Sequence, residues 1–173
     1  MSRPTWESAK HLLAEYDGAA TEIFVIGLPL LQLLAVMAAL GGLPTLEVVY
    51  FGDETLECPE SFDASWRSRF QSMQSRSCQH SLQSAVGTAR HLQIYLWVDA
   101  EAAMLEVEFV FWNNLTFPES LVTEERDQRL NALISLAEAC RAGVAGARCV
   151  LAPEHNGPTE ELLEKHDELA VVW

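Results

Sequence analysis

Basic residues are scarce in this chain of 173 residues, which has 11 lysines and arginines against 25 aspartates and glutamates. The formal net charge at pH 7 is −14, and the only lysines are Lys10 and Lys165. A protein that holds a nucleic-acid backbone or an anionic membrane surface needs clustered lysine and arginine side chains. The composition therefore argues against direct nucleic-acid or membrane binding. It favours either simple solubility or electrostatic steering towards a basic partner.

The local signatures of common enzymes are also missing. The chain contains no phosphate-binding glycine loop, no Gly-x-Ser-x-Gly elbow and no His-Glu-x-x-His pair. Convergent active sites need no local motif, so this absence lowers the expectation of an enzyme without removing it. We predict no catalytic residues, no resident metal and no cofactor.

The four cysteines form no Cys-x-x-Cys pair and have no spacing typical of a zinc site. The beginning of the sequence does not resemble a cleavable signal peptide. These two features favour reduced thiols and a cytoplasmic location.

Two groupings of reactive side chains keep an enzyme open as an alternative. Cys78 and His80, with Cys58, are candidates for a thiol nucleophile or for metal ligands. Residues 154–155 and 166–167 pair histidine with carboxylates, which suits a metal site if the two segments converge. For both groupings, incidental or solvated side chains are the simpler interpretation.

The longest apolar stretch covers residues 23–43 and contains a single strongly polar side chain. Its length is close to that needed to span a bilayer. However, Pro29 is suited to opening a helix, and the glycines at 41–42 are suited to ending one. We therefore predict a short strand over 23–26, a buried helix over 30–40 and no membrane span.

Further elements follow from apolar spacing and capping residues. Helices are predicted from Thr5 to about residue 16, over 61–90 as one or two amphipathic helices, from a Thr123 cap to Gly143 or Gly146, and over 158–166. Strands are predicted over 46–51, 148–152 and 170–173. The sum is about five helices and five or six strands, which predicts one α+β domain over residues 1–173 with a mainly antiparallel sheet.

The clearest element is a β-hairpin formed by residues 91–99 and 104–112, with residues 100–103 as its loop. In both strands every second residue is a large apolar one, which is the pattern of a strand that buries one face. One register brings the two apolar sets together on the same face. The apolar residues are Leu92, Ile94, Leu96 and Val98 in the first strand and Leu105, Val107, Phe109 and Phe111 in the second.

The same register gives the opposite face an unusual composition, because it places Trp97 opposite Glu106 and Tyr95 opposite Glu108. Aromatic rings supply anchoring area at protein interfaces, and carboxylates pair with arginine or lysine. We predict that these four residues bind a protein partner. A helix that covers the sheet, with the glutamates at its rim, would explain the pattern equally well.

An acidic loop that follows the strand at 46–51 extends this prediction. The loop contains Asp53, Glu54 and Glu57 among other carboxylates and has no basic residue. Its carboxylates lack the regular spacing and central glycine of an EF-hand loop. We therefore interpret the three residues as part of the partner-binding surface rather than as cation ligands.

In overall style, the whole chain resembles the immunity proteins of bacterial polymorphic and contact-delivered toxins, including those of type VI secretion. The shared features are a small acidic α/β domain, an antiparallel hairpin, tryptophan and glutamate mixed on one sheet face, and no catalytic signature. The resemblance implies a cytoplasmic protein that binds a cognate toxin and blocks its active site or its access to substrate. Toxin nucleases need basic surfaces to hold phosphates, so an acidic inhibitor suits them physically.

Two functions of other classes stay open. A small metal-dependent hydrolase would need His155, His166 or the cysteines to converge in a cleft. An adaptor or secretion chaperone would use the apolar region 28–40 as an exposed docking surface.

Overall fold

A single eight-stranded antiparallel sheet organises the chain, with its strands in the order β3-β2-β4-β5-β6-β1-β7-β8. The computed structural model describes residues 3–14, 19–41, 46–51, 54–57, 78–86, 89–99, 102–154 and 170–173. The strands are β1 (Ala20–Pro29), β2 (Leu46–Phe51), β3 (Glu54–Glu57), β4 (Cys78–Val86), β5 (Ala89–Asp99), β6 (Met104–Trp112), β7 (Arg148–Pro153) and β8 (Val171–Val172). The helices in the described ranges are α1 (Trp6–Leu13), α2 (Leu33–Gly41), α3 (Asn113–Thr116) and α4 (Thr123–Cys140). The predicted α+β class and the central hairpin are confirmed.

Helices α1, α2 and α4 pack against one face of the sheet and form the main core with it. An apolar stripe of α4 is buried there, together with alternate residues of the central strands. Members of this core include Leu12, Leu13, Ile23, Val25, Val36, Met37, Leu92, Ile94, Leu96, Val107, Phe109, Phe111, Leu130, Ile134 and Leu151. A second, smaller buried cluster lies on the opposite face and consists of Phe24, Val150, Ala152, Ala170 and Val172.

Polar contacts fasten α1 to α4 at the margin of the core. The Trp6 backbone N–H donates to Asp127 Oδ1 at 2.6 Å, and the Arg126 guanidinium lies 5.0 Å from the centre of the Trp6 ring. The same ring contacts Phe117, with centroids 5.3 Å apart. One tryptophan therefore joins two helices and the loop that precedes α4.

The apolar stretch over residues 23–43 folds as a strand and a helix, as predicted from its proline and glycines. The strand is longer than expected, and a 3-10 turn over Leu30–Gln32 precedes α2. Gly27 has a φ of 77° where the β1 register shifts, and a Cβ there would lie 3.4 Å from the Gly146 carbonyl oxygen. In the described ranges, no helix combines the length and hydropathy needed to cross a membrane.

The helical interpretation of residues 61–90 is wrong for its second half, where the chain forms β4 and the start of β5. β4 pairs with β5 from Cys78 opposite Val98 to Ser84 opposite Leu92, and it pairs with β2 on its other side. Ladder hydrogen bonds to two neighbours outweigh a loose helical spacing of apolar residues. Residues 61–77 lie outside the described ranges.

The capping residue predicted from the sequence is correct for α1 and is one position too late for α4. Thr5 caps α1, since its Oγ1 accepts from the Ser8 N–H at 3.4 Å and its own N–H donates to Ser8 Oγ at 2.9 Å. Thr123 is the first residue of α4 rather than its cap, which is Val122. A valine side chain cannot accept a hydrogen bond, so the cap consists only of the Val122 N–H donating to Glu125 Oε2 at 3.4 Å.

Of the three elements predicted near the end of the chain, two strands are confirmed and one helix lies outside the described residues. The strand predicted over 148–152 is β7, and the one predicted over 170–173 contains β8. The helix predicted over 158–166 lies outside the described residues.

A substitution in the loop between β5 and β6 tests whether the backbone of that loop is strained. Ala103 has a φ of 54°, a left-handed conformation that strains a residue with a Cβ. We expect Ala103→Gly to raise the free energy of unfolding by about 0.5 kcal/mol, because relief of strain exceeds the added entropy of the unfolded chain. Urea unfolding measures the change. Ala102→Gly is the matched control and should be neutral or destabilising, so an equal gain in both variants would contradict the assignment.

Candidate partner-binding face

The hairpin of β5 and β6 has the register predicted from its sequence. Trp97 pairs with Glu106, and Tyr95 pairs with Glu108. Because the residues that alternate with them are buried under the helices, these four side chains lie on the other face of the sheet. All four are half-buried. We name this set the aromatic–acidic face.

Direct contacts order the aromatic–acidic face. The Trp97 indole N–H donates to Glu108 Oε2 at 2.5 Å, and the Tyr95 hydroxyl donates to Gln93 Oε1 at 2.8 Å. The rings of Tyr95 and Trp97 stack with centroids 6.2 Å apart and planes inclined by 23°. The indole is therefore held by one glutamate while it lies opposite another, Glu106, on the neighbouring strand.

A third carboxyl group belongs to the same cluster, and sequence reasoning missed it. Glu22 in β1 is 6% exposed, and its side chain hydrogen-bonds to that of Glu108. Glu22 pairs with Val110, two positions from Glu108, so the contact is diagonal. A carboxylate only accepts hydrogen bonds, so this contact requires a proton on one of the two groups whenever it forms. The available signal was a glutamate within the apolar residues 19–26, but the predicted strand began one residue after it.

Burial changes the ionisation of the two hairpin glutamates. Burial, and to a smaller extent the charge of Glu108, raises the pKa of Glu106 from 4.5 to about 7. Burial also raises the pKa of Glu108, against the lowering effect of its hydrogen bonds with Trp97 and Glu22. In the part of the chain that the structure describes, neither glutamate forms an ion pair with lysine or arginine. These desolvated carboxyl groups are therefore suited to a cation supplied from outside.

The two described residues among those predicted from the acidic loop do not join this cluster. Asp53 lies outside the described residues, and Glu54 and Glu57 are the ends of a strand, β3, rather than loop residues. Strands β2 and β4 separate β3 from β5, a distance of about 14 Å at the usual strand spacing. The aromatic–acidic face is therefore distinct from the acidic edge of the sheet.

The groupings considered for an enzyme are only partly described. Cys78 and His80 lie in β4 rather than on a helix, whereas Cys58, His155 and His166 fall outside the described residues. Among the described residues, no three histidine, cysteine or acidic side chains are placed to hold a metal ion.

Two further thiols, which sequence analysis assigned no role, are buried. Cys140 and Cys149 are both free, and burial raises the pKa of each to about 12. A thiol is nucleophilic as the thiolate, so neither group is activated for catalysis.

The raised pKa of Glu106 predicts a stability that depends on pH. The folded chain holds this proton more tightly than the unfolded chain, so the stabilisation is complete below about pH 4.5 and is lost as the pH rises through about 7. Glu106→Gln removes the group that must ionise. We expect the free energy of unfolding of the variant, relative to that of the wild type, to rise by about 1–3 kcal/mol between pH 5 and 8. Urea unfolding across that range measures the difference.

Glu119→Gln is the control, because Glu119 is exposed in the loop before α4. It removes one carboxyl group from the surface, so it controls for the loss of a charge away from the aromatic–acidic face. If the difference in unfolding free energy between Glu106→Gln and the wild type does not change with pH, the carboxyl group at 106 ionises as it does in water.

Comparison with known proteins assigns the chain to no family: no family model, no curated protein and no solved structure matches it.

Proposed function

We propose that this chain is a binding protein that neutralises a toxin by docking its aromatic–acidic face on a basic surface of the toxin domain. A nuclease is the toxin class that suits this chemistry best, because its substrate-binding surface must hold phosphates with basic side chains. Occupying that surface would exclude the substrate. In this proposal the chain acts in the cytoplasm and engages neither nucleic acid nor membrane directly.

One observation carries the proposal: Trp97 and Glu106 face each other on a half-buried sheet surface that contains two more carboxyl groups. Aromatic side chains are enriched among the residues that dominate interface energetics. Among the described residues, Glu106 and Glu108 form no ion pair with lysine or arginine. Desolvated carboxyl groups of this kind weaken folding, so their presence is easier to understand at a binding surface than as part of a stabilising core.

The charge of the whole chain supports the same partner chemistry. A formal net charge of −14 attracts a basic protein over distances longer than direct contact and raises the rate of encounter. The aromatic rings then supply the short-range contacts that slow dissociation. Long-range steering and local anchoring act on different rate constants, so they can be tested separately.

The first test concerns anchoring. If the gene immediately upstream encodes a large modular protein, the variable C-terminal domain of that protein is the partner to examine. Trp97→Ala should weaken that complex by at least about 2 kcal/mol, mainly through faster dissociation, because a buried aromatic anchor is lost. Surface plasmon resonance measures both rates. Trp112→Ala is the control, since Trp112 is 36% exposed at the far end of β6, four residues beyond Glu108 on the same side of the sheet, and is not one of the residues of the aromatic–acidic face.

The second test concerns steering. Association should slow as salt rises past about 0.15 M, where the Debye length is about 8 Å. Glu106→Gln, measured at pH 8 where Glu106 is ionised, should chiefly lower the association rate. If the toxin domain binds folded variants with an affinity that is indifferent to salt and to both substitutions, this face is not the docking surface.

A further inference from the structure

We infer that the aromatic–acidic face selects an arginine of its partner over a lysine, with the guanidinium lying on the Trp97 ring and pairing with Glu106. This inference rests on the proposed function, because it names the side chain that the partner inserts. It adds a specificity that net charge alone does not give, since lysine and arginine carry the same charge.

The geometry of the hairpin places the two recognition elements side by side. Residues that pair directly across an antiparallel ladder have Cβ atoms about 5 Å apart, so the Trp97 ring and the Glu106 carboxyl group flank a common position. A planar guanidinium can stack on a ring while its edge donates hydrogen bonds to a carboxylate. The ammonium group of lysine is a compact point charge and lacks this second contact surface.

Internal contacts hold Trp97 in place before any partner arrives. Its N–H is engaged by Glu108 at 2.5 Å, and its ring stacks on Tyr95. A ring fixed in this way loses little conformational entropy on binding, which leaves more of the contact energy for affinity. The indole N–H is already used in the bond to Glu108, so an incoming cation contacts the face of the Trp97 ring.

Partial burial favours arginine as well. The four residues of the face are half-buried, so a cation that binds there loses part of its hydration. Guanidinium is more weakly hydrated than ammonium and loses less on entering such a site. Cation–π attraction also strengthens when the pair is withdrawn from water.

The chain already contains one arginine packed on a tryptophan in this manner. The Arg126 guanidinium lies 5.0 Å from the centre of the Trp6 ring, and its Nη2 donates to the Glu119 carbonyl at 2.9 Å. Stacking and hydrogen bonding therefore occur together at a half-buried site between α1 and α4. The aromatic–acidic face offers the ring and the acceptor of such an arrangement without its cation, as far as the described residues extend.

Two synthetic peptides test the selection on the full chain. They have the same sequence, except that every arginine of one is lysine in the other, and their affinities are measured by isothermal titration calorimetry at pH 8. We expect the arginine peptide to bind about tenfold more tightly, within the range of a desolvated cation–π contact. In nitrogen-edited NMR spectra, the Trp97 indole N–H resonance should shift with the arginine peptide.

Variants locate the preference. Trp97→Leu and Glu106→Gln should abolish the difference between the peptides, whereas Trp112→Leu and Glu119→Gln should preserve it. Trp97→Phe keeps an aromatic surface and loses the N–H, so it should retain most of the arginine preference. If Trp97→Leu fails to fold, the Glu106→Gln and Trp97→Phe variants still decide the question.

Equal affinity for the two peptides, no binding of either, or a preference that survives Glu106→Gln would each overturn the inference. The proposed function is judged separately. If the toxin domain binds and Trp97→Ala weakens the complex while the two peptides bind equally, only the arginine selection is wrong. If the toxin domain does not bind the chain, the proposed function fails whatever the peptides do.

Discussion

The pairing register of β5 and β6 is the constraint on which the rest of the structure depends. It is set by a row of fully buried residues, including Ile94 and Phe109, that pack beneath the helices. A slip of one residue would bring Glu106 and Glu108 under the helices and expel the apolar row, so such a slip is strongly opposed. The aromatic–acidic face is therefore a direct consequence of core packing.

The electrostatics of this face work against folding. Glu106 has a raised pKa because its charged form is poorly solvated, and burial raises the pKa of Glu108 despite its hydrogen bonds with Trp97 and Glu22. The bond from Trp97 offsets part of this cost. Natural proteins keep such local conflicts mostly at functional sites, which makes this conflict the strongest physical reason for proposing that the face binds a partner.

Short-range sequence patterns were sufficient to predict the elements that have a regular apolar periodicity or a clear capping or terminating residue. The alternation along β5 and β6 predicted both strands and their register. Pro29 and the glycines at 41–42 predicted the division of the apolar stretch into strand and helix, and Thr5 predicted the start of α1. In each case the energetic preference lies within a few neighbouring residues, so the sequence alone determines it.

The tertiary structure decided what depends on partners distant in the chain. The Ser- and Gln-rich segment of β4 has no strong period of its own and becomes a strand because β2 and β5 supply hydrogen bonds on both sides. Glu22 joins the aromatic–acidic face because β1 pairs with β6, and Glu54 and Glu57 are excluded because β3 lies at the sheet edge. Strand order is a property of the packed sheet, since it follows from the combined burial of all strands and helices, and no local residue pattern encodes it.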